Sequence, residues 1–293
     1  MLIKLRGFEY LKPTTLKETF ELIERHNGNS EILAGGTDLF VMMKYAKIRP
    51  QYVIDVKDIP ELSGLSMNSQ GGLSIGALTT IRALETSKEV RDNFRIISEA
   101  AGIMASVQVR NRATVGGNIC HASPSAEMAP PLIALGSKAR IIGKGGERVV
   151  GLDEFFTGPG KTVLGQGELL AGIEVPKAKA GVGSSYKRIA ARKALCIATV
   201  NVGVEVEVDS SGICRDARIA LGAVAPIPMR ARGAEGMLIG QRIDDELILR
   251  ASERAMEESK PIDDVRSSGE YRKEMVKVMT KRALQQAIKE IRG

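Results

Sequence analysis

Cysteine and histidine are both scarce in this chain of 293 residues, with three Cys (Cys120, Cys196, Cys214) and two His (His26, His121). No two cysteines stand at CxxC spacing, so a zinc or iron–sulfur site built from this chain's own Cys and His is excluded as a reading. A disulfide framework is equally unsupported, which points to a reducing compartment and to the cytoplasm. Tryptophan is absent and only 6 Phe and 5 Tyr are present, too few for a base-stacking platform on single-stranded nucleic acid. No apolar run is long enough to span a membrane. The densest, Met128–Leu135, is interrupted by Pro130 and Pro131. The opening MLIKLRGFEY carries no signal-peptide pattern, and no secretory leader is expected. The net charge of +7 invites a nucleic-acid reading, but the basic residues are dispersed. The tightest group, Lys187, Arg188, Arg192 and Lys193, is short, and a solvated basic surface accounts for it.

What is present points to a mixed chain. A short strand is expected at Phe8–Leu11. Thr15 followed by Glu18 then has the capping-box spacing of a helix running to about His26. The run Ile32–Ala34 leads into Gly35-Gly36-Thr37-Asp38, a helix over Leu39–Tyr45 and a strand over Tyr52–Val56. Leu65–Ile75 reads as a hairpin turning near Gly71-Gly72. A helix is expected over Asn93–Ala105, a break at Thr114–Asn118, a hairpin across Gly145-Gly146, and a strand over Leu169–Val175 closed by Pro176. The stretch 177–185, KAKAGVGSS, is small, polar and glycine-rich, and is the best linker candidate. Beyond it, Val200, Val202, Val204, Val206 and Val208 alternate with Asn201, Gly203, Glu205, Glu207 and Asp209, the period-2 pattern of a half-buried strand. A second strand is expected around Ala217–Ala223, followed by helices over Asp245–Ser259 and Tyr271–Ile291. This gives an α+β chain with a domain over 1–176 (subdomains about 1–57 and 58–176), the linker, and a carboxy-terminal α+β domain over 186–293.

Two nucleotide motifs fail. No GxGxxG exists, and Gly160-Lys161-Thr162 lacks the earlier glycine of a P-loop because Phe155 stands there. Two Gly-Gly loops remain, Ala34-Gly35-Gly36-Thr37-Asp38 and Thr114-Val115-Gly116-Gly117-Asn118. Paired glycines let successive N–H groups converge on one anion, so two such loops together suit a diphosphate. From glycine content alone, two tight turns are the simpler reading.

The flanking residues go further. TVGGNICHASPSAEMAPPLIAL (114–135), preceded by Val109-Arg110-Asn111-Arg112, resembles the FAD-binding medium subunits of the molybdenum hydroxylase family, the carbon monoxide and xanthine dehydrogenase type. ILAGGTDL (32–39) resembles the other FAD loop of that family. YKRIAARKALCIATVNVGVEV (186–206) and GAVAPIPMRARGAE (222–235), with Pro261, Asp263-Asp264, Arg266 and Tyr271-Arg272, resemble its carboxy-terminal domain. The resemblance implies a two-part FAD-binding domain in which Ile32, Leu33, Ala34, Gly35, Gly36, Thr37, Asp38 and Leu39, together with Thr114, Val115, Gly116, Gly117 and Asn118, cradle the FAD diphosphate and ribityl chain. It places Glu127 at an FAD hydrogen-bonding position where Asp is usual. Leu170 and Met104 fall against the isoalloxazine ring, and Arg188 falls where Lys is common. Tyr186 stands either beside the flavin or at the domain junction.

By the same resemblance the chain is an electron relay with FAD as its only cofactor, no catalytic acid or base and no metal. The molybdenum cofactor and 2Fe–2S clusters belong to a large and a small partner subunit, in a dimer of heterotrimers. Neither nucleic acid nor membrane is expected as a partner. Cys120 and His121 are read as structural, since neighbours on an extended chain face opposite ways. Two other readings are kept: a flavin-free assembly subunit of such a complex, and a basic nucleic-acid-binding protein.

Overall fold

The computed structural model describes residues 5–192 and 194–292; Lys193 of the basic group lies outside the described residues. The first unit is a three-stranded parallel sheet in the order Glu9–Leu11, Tyr52–Asp55, Ser30–Leu33, flanked by the helices Leu16–Arg25 and Leu39–Lys44. The Thr15 hydroxyl accepts from the Glu18 N–H at 3.2 Å, so the cap expected there opens the first helix. Parallel pairing aligns the strand ends. Ser30–Leu33 therefore delivers the Gly35-Gly36 loop to one edge of the unit, directly before Leu39–Lys44.

The second unit centres on a five-stranded antiparallel sheet ordered Leu65–Met67, Leu73–Gly76, Leu169–Val175, Lys138–Gly143, Gly146–Gly151. Leu169–Val175 is buried along almost its whole length, which explains its unbroken apolar sequence. The core formed with the surrounding helices includes Ile75, Leu84, Ile97, Ile119, Leu132 and Ile173. The register of Leu169–Val175 against Lys138–Gly143 slips between Leu170 and Gly172. Such a bulge re-aims the side chains beside it.

The carboxy-terminal unit is a four-stranded antiparallel sheet ordered Val182–Ile189, Val200–Val208, Cys214–Gly222, Met229–Arg230. The helices Arg232–Leu238, Asp245–Glu258 and Gly269–Arg292 share a core with the alternating valines 200–206, as the period-2 pattern requires. Its other face meets the helix Ala129–Ala134 of the second unit. There the backbones approach so closely that a Cβ at Gly203 would lie 2.6 Å from the Pro130 carbonyl oxygen.

Three expectations shift. Pairing with Val200–Val208 draws 182–185, the end of the expected linker, into the strand Val182–Ile189, with Gly183 and Ser185 buried. The helix expected over Asn93–Ala105 is Arg95–Ile103, starting after Phe94 and ending before Met104. The break expected at Thr114–Asn118 is instead the first turn of the helix Val115–Cys120. The Thr114 hydroxyl accepts the Gly117 N–H at 3.0 Å, and this cap outweighs the poor helix propensity of two glycines.

The Gly203–Pro130 approach yields a test of how the units are joined. Gly203→Ala is expected to destabilise the chain by about 2 kcal/mol, the typical cost of overpacking. Gly145→Ala, where nothing lies within 4 Å of an added Cβ, is expected to be neutral. Thermal unfolding of the two variants checks this.

Candidate functional site

A cavity of about 540 Å³ opens between the first and second units. Ile32, the run Ala34–Leu39, Thr114, Gly116–Asn118, Met104 and Leu170 all line it, although they come from four separate stretches of sequence. The two Gly-Gly loops converge because of one contact. A Cβ at Gly35 would run into the Arg112 carbonyl, so only glycine lets the first loop lie on the chain that leads into the second. Gly36 has φ +74°, in the left-handed region, and a Cβ there would meet Leu33 and Phe40 at 2.9 Å. Two of the expected loop residues face elsewhere. Leu33 packs into a cluster with Leu39, Met43 and Val53, and Val115 is fully buried in the second unit's core.

The loops are not equivalent. In the second, every N–H from Val115 to Asn118 already has an acceptor: Val115 donates to Thr79 O, Gly116 to Ala77 O, Gly117 to the Thr114 hydroxyl and Asn118 to Thr114 O. These groups cannot act as the converging donors the glycine pair suggests. In the first loop, among the described residues, no N–H from Ala34 to Leu39 has a protein acceptor. Free main-chain donors beside a cavity are an anion site in waiting. The second loop supplies a tight wall and a hydroxyl, and its Asn118 side chain accepts from the Met128 N–H at 3.3 Å, tying the loop to the next segment.

Glu127 and Arg188 do not line the cavity. They form a buried ion pair across the junction of the second and carboxy-terminal units, their side chains only 8% and 6% exposed. Arg188 also donates to the Cys196 carbonyl. Burial pushes the Glu127 carboxyl up to about 7, against the opposing pull of Arg188 and Arg110. Tyr186 sits in the same layer. Its hydroxyl accepts from the Asn201 amide at 3.1 Å, and burial followed by the Glu127 charge raises its pKa. The junction role weighed for Tyr186 is where its hydrogen bond lies.

Other residues reach the cavity without any local sequence signal: Glu31, Cys120, His121, Gly160, Leu164 and Glu168. Cys120 and His121 close the helix Val115–Cys120 rather than an extended segment, so both border the same space. Burial pushes the Cys120 thiol up to about 12, which leaves it protonated and unfit as a nucleophile. Burial likewise raises the Glu31 carboxyl. Glu168 goes the other way, held at about 2 by the Arg148 guanidinium and the Gly165 N–H, and it stands as a fixed negative charge at the cavity edge.

The Glu127 shift gives a pH test with a definite sign. Its folded pKa of about 7 exceeds the ordinary 4.5, so the protonated carboxyl is favoured on folding. That stabilisation is complete below about pH 4.5 and is lost as pH rises through 7, a change of about 1–3 kcal/mol. Glu127→Gln is expected to reduce the fall in stability between pH 5 and pH 8, as read from denaturant midpoints.

Known proteins resemble this chain along nearly its whole length. Residues 6–178 match the family described as the FAD binding domain in molybdopterin dehydrogenase, and residues 184–287 match the CO dehydrogenase flavoprotein C-terminal domain. The carbon monoxide dehydrogenase medium chain of Hydrogenophaga pseudoflava is 34% identical over 280 residues, covering 96% of each chain. The xanthine dehydrogenase FAD-binding subunit of Escherichia coli O157:H7 is 31% identical over 95% of each. Among solved structures, a chain of carbon monoxide dehydrogenase from H. pseudoflava superposes with a TM-score of 0.93, covering 97% of this chain and 98% of that one at 34% identity. A chain of quinoline 2-oxidoreductase from Pseudomonas putida 86 gives 0.91 at 30% identity, covering 98% and 99%. The chain therefore belongs to the FAD-binding subunits of the molybdenum hydroxylase family, of the carbon monoxide and xanthine dehydrogenase type.

Proposed function

We propose that the cavity between the two glycine loops is the FAD site, and that the chain relays electrons from a small 2Fe–2S subunit to an external acceptor. The observation that carries this is the run of free N–H donors from Ala34 to Leu39, facing a cavity of a size usual for cofactors. The residues present fit the group. The free donors suit a diphosphate, Gly35 and Gly36 leave no side chain in its way, and Leu170, Met104 and Leu164 offer an apolar wall for a flat ring. A flavin-free scaffold has no use for a row of unpaired donors, and that favours the cofactor-bearing reading.

The division of labour follows from the chemistry. FAD, when bound, would supply the redox chemistry that lets electrons pass from the iron–sulfur subunit to an acceptor. The chain's residues hold and orient it. Ala34–Leu39 offer hydrogen bonds to the anionic part, Thr114 and Asn118 fix the opposite wall, and Leu170 and Met104 exclude water from the ring. Arg188 acts through Glu127 and the Cys196 carbonyl, holding the carboxy-terminal unit to the cavity's surroundings. No proton-transferring side chain is required of this subunit. The oxidation of substrate falls to a large molybdenum subunit, and the assembly is a cytoplasmic dimer of heterotrimers. Among the described residues no helix is long and apolar enough to cross a membrane.

The test is a visible absorption spectrum of the full chain after incubation with FAD and desalting, run beside Gly36→Val and Gly116→Val. Gly36→Val forces a branched side chain into a left-handed conformation, and Gly116→Val drives one into Ala77. Flavin retained by the wild type and lost by both variants is the expected result. A colourless wild type, alone and when co-purified with its partner subunits, would sink the proposal.

A further inference from the structure

One buried arginine ties the Met104 segment of this cavity wall to the helix behind it without lining the cavity. Arg110 is only 7% exposed and closes the short helix Val107–Arg110. Its guanidinium is used on two edges. Nε and Nη2 donate to the Glu85 carboxylate at 2.8 and 3.1 Å, and Nη1 donates to the Met104 carbonyl at 2.7 Å. Glu85 is in turn braced by Arg82 at 2.9 Å. Arg110 thus bends back over its own segment and fixes the turn 104–106 against the helix Ile81–Thr86.

That turn is held in a conformation it would not keep unaided. Ala105 has φ +48°, a left-handed value that costs a non-glycine residue energy. Its carbonyl accepts from the N–H of Leu195 at 3.1 Å, and Leu195 is itself left-handed at φ +51°. Just before it, Met104 faces the cavity. Just after Arg110, the chain runs through Arg112, on whose carbonyl Gly35 rests, to Thr114 and the second loop. The distance between the Met104 wall and both glycine loops is therefore set within the stretch 104–114, across which Arg110 bonds back to Met104.

We propose that Arg110 is a positioning residue: by gripping the Met104 carbonyl and Glu85 together, it sets the gap between the Met104 wall and the glycine loops, and so the fit of the FAD ring. The proposal rests on the cavity being the FAD site. Lysine cannot replace it, because one ammonium does not span a carboxylate and a carbonyl on opposite edges as a planar guanidinium does.

The test is a double-mutant cycle on the FAD dissociation constant of the full chain, measured by quenching of flavin fluorescence, with Arg110→Lys, Met104→Ala and the double variant. Arg110→Lys is expected to weaken FAD binding at least tenfold and to change the visible circular dichroism of the bound flavin as Met104→Ala does. The double variant is expected to bind within about twofold of Arg110→Lys alone, because a released Met104 no longer contributes. Glu85→Gln, which keeps Arg110 but loosens its grip, covers the case in which Arg110→Lys does not fold. It is expected to weaken binding about threefold and to lose that effect in a Met104→Ala background. Additive effects, or a lower unfolding temperature with unchanged FAD affinity and dichroism, would overturn the proposal and leave the FAD site standing. A wild type that binds no FAD would overturn both.

Discussion

The site depends on one contact, the seat of Gly35 on the Arg112 carbonyl. Any side chain at that position would separate the first unit from the second, because a Cβ would occupy the space the carbonyl holds. Close approach of two backbones brings a loop from a parallel sheet beside a loop that opens a helix, and the cavity is the space left between them. The parallel strands Tyr52–Asp55 and Ser30–Leu33 aim the first loop, and the cap at Thr114 shapes the second. The bulge at Leu170–Gly172 marks where an otherwise buried strand borders the opening.

Two glycine pairs that look alike in sequence do different work. In the second loop the capped helical turn absorbs its own N–H groups, so its contribution is shape, a hydroxyl and an amide side chain. In the first loop, among the described residues, the N–H groups have no protein acceptor, so main-chain attraction for an anion is concentrated there. Sequence similarity between the motifs hides this asymmetry, because what separates them is the Thr114 cap and the carbonyls that Ala77 and Thr79 supply from elsewhere in the fold.

Much of the architecture was legible. Leu169–Val175 ends where Pro176 stops it, and the valines 200–206 face the carboxy-terminal helices as their alternation demands. The cavity-lining loops were legible through their motifs. What escaped was long-range. Leu164, Gly160 and Glu168 reach the cavity from a part of the chain with no periodicity or motif of its own. The pairing of Glu127 with Arg188 required knowing that two units meet there. Val182–Ser185 looks like a linker because small polar residues suit one equally well. It becomes a strand only when Val200–Val208 is present to pair with. Arg110 belongs to a recognisable motif, yet nothing local says that its guanidinium turns back to Met104.

The asymmetry of the two loops is open to a direct measurement, amide hydrogen exchange of the full chain with and without FAD. Residues 115–118 are already hydrogen-bonded and are expected to exchange slowly in both conditions, with little further protection. Residues 34–39 are expected to exchange fast without FAD and to slow markedly with it. Equal gains in protection at both loops, or a gain at 115–118 with none at 34–39, would contradict the claim that the first loop alone supplies the main-chain donors.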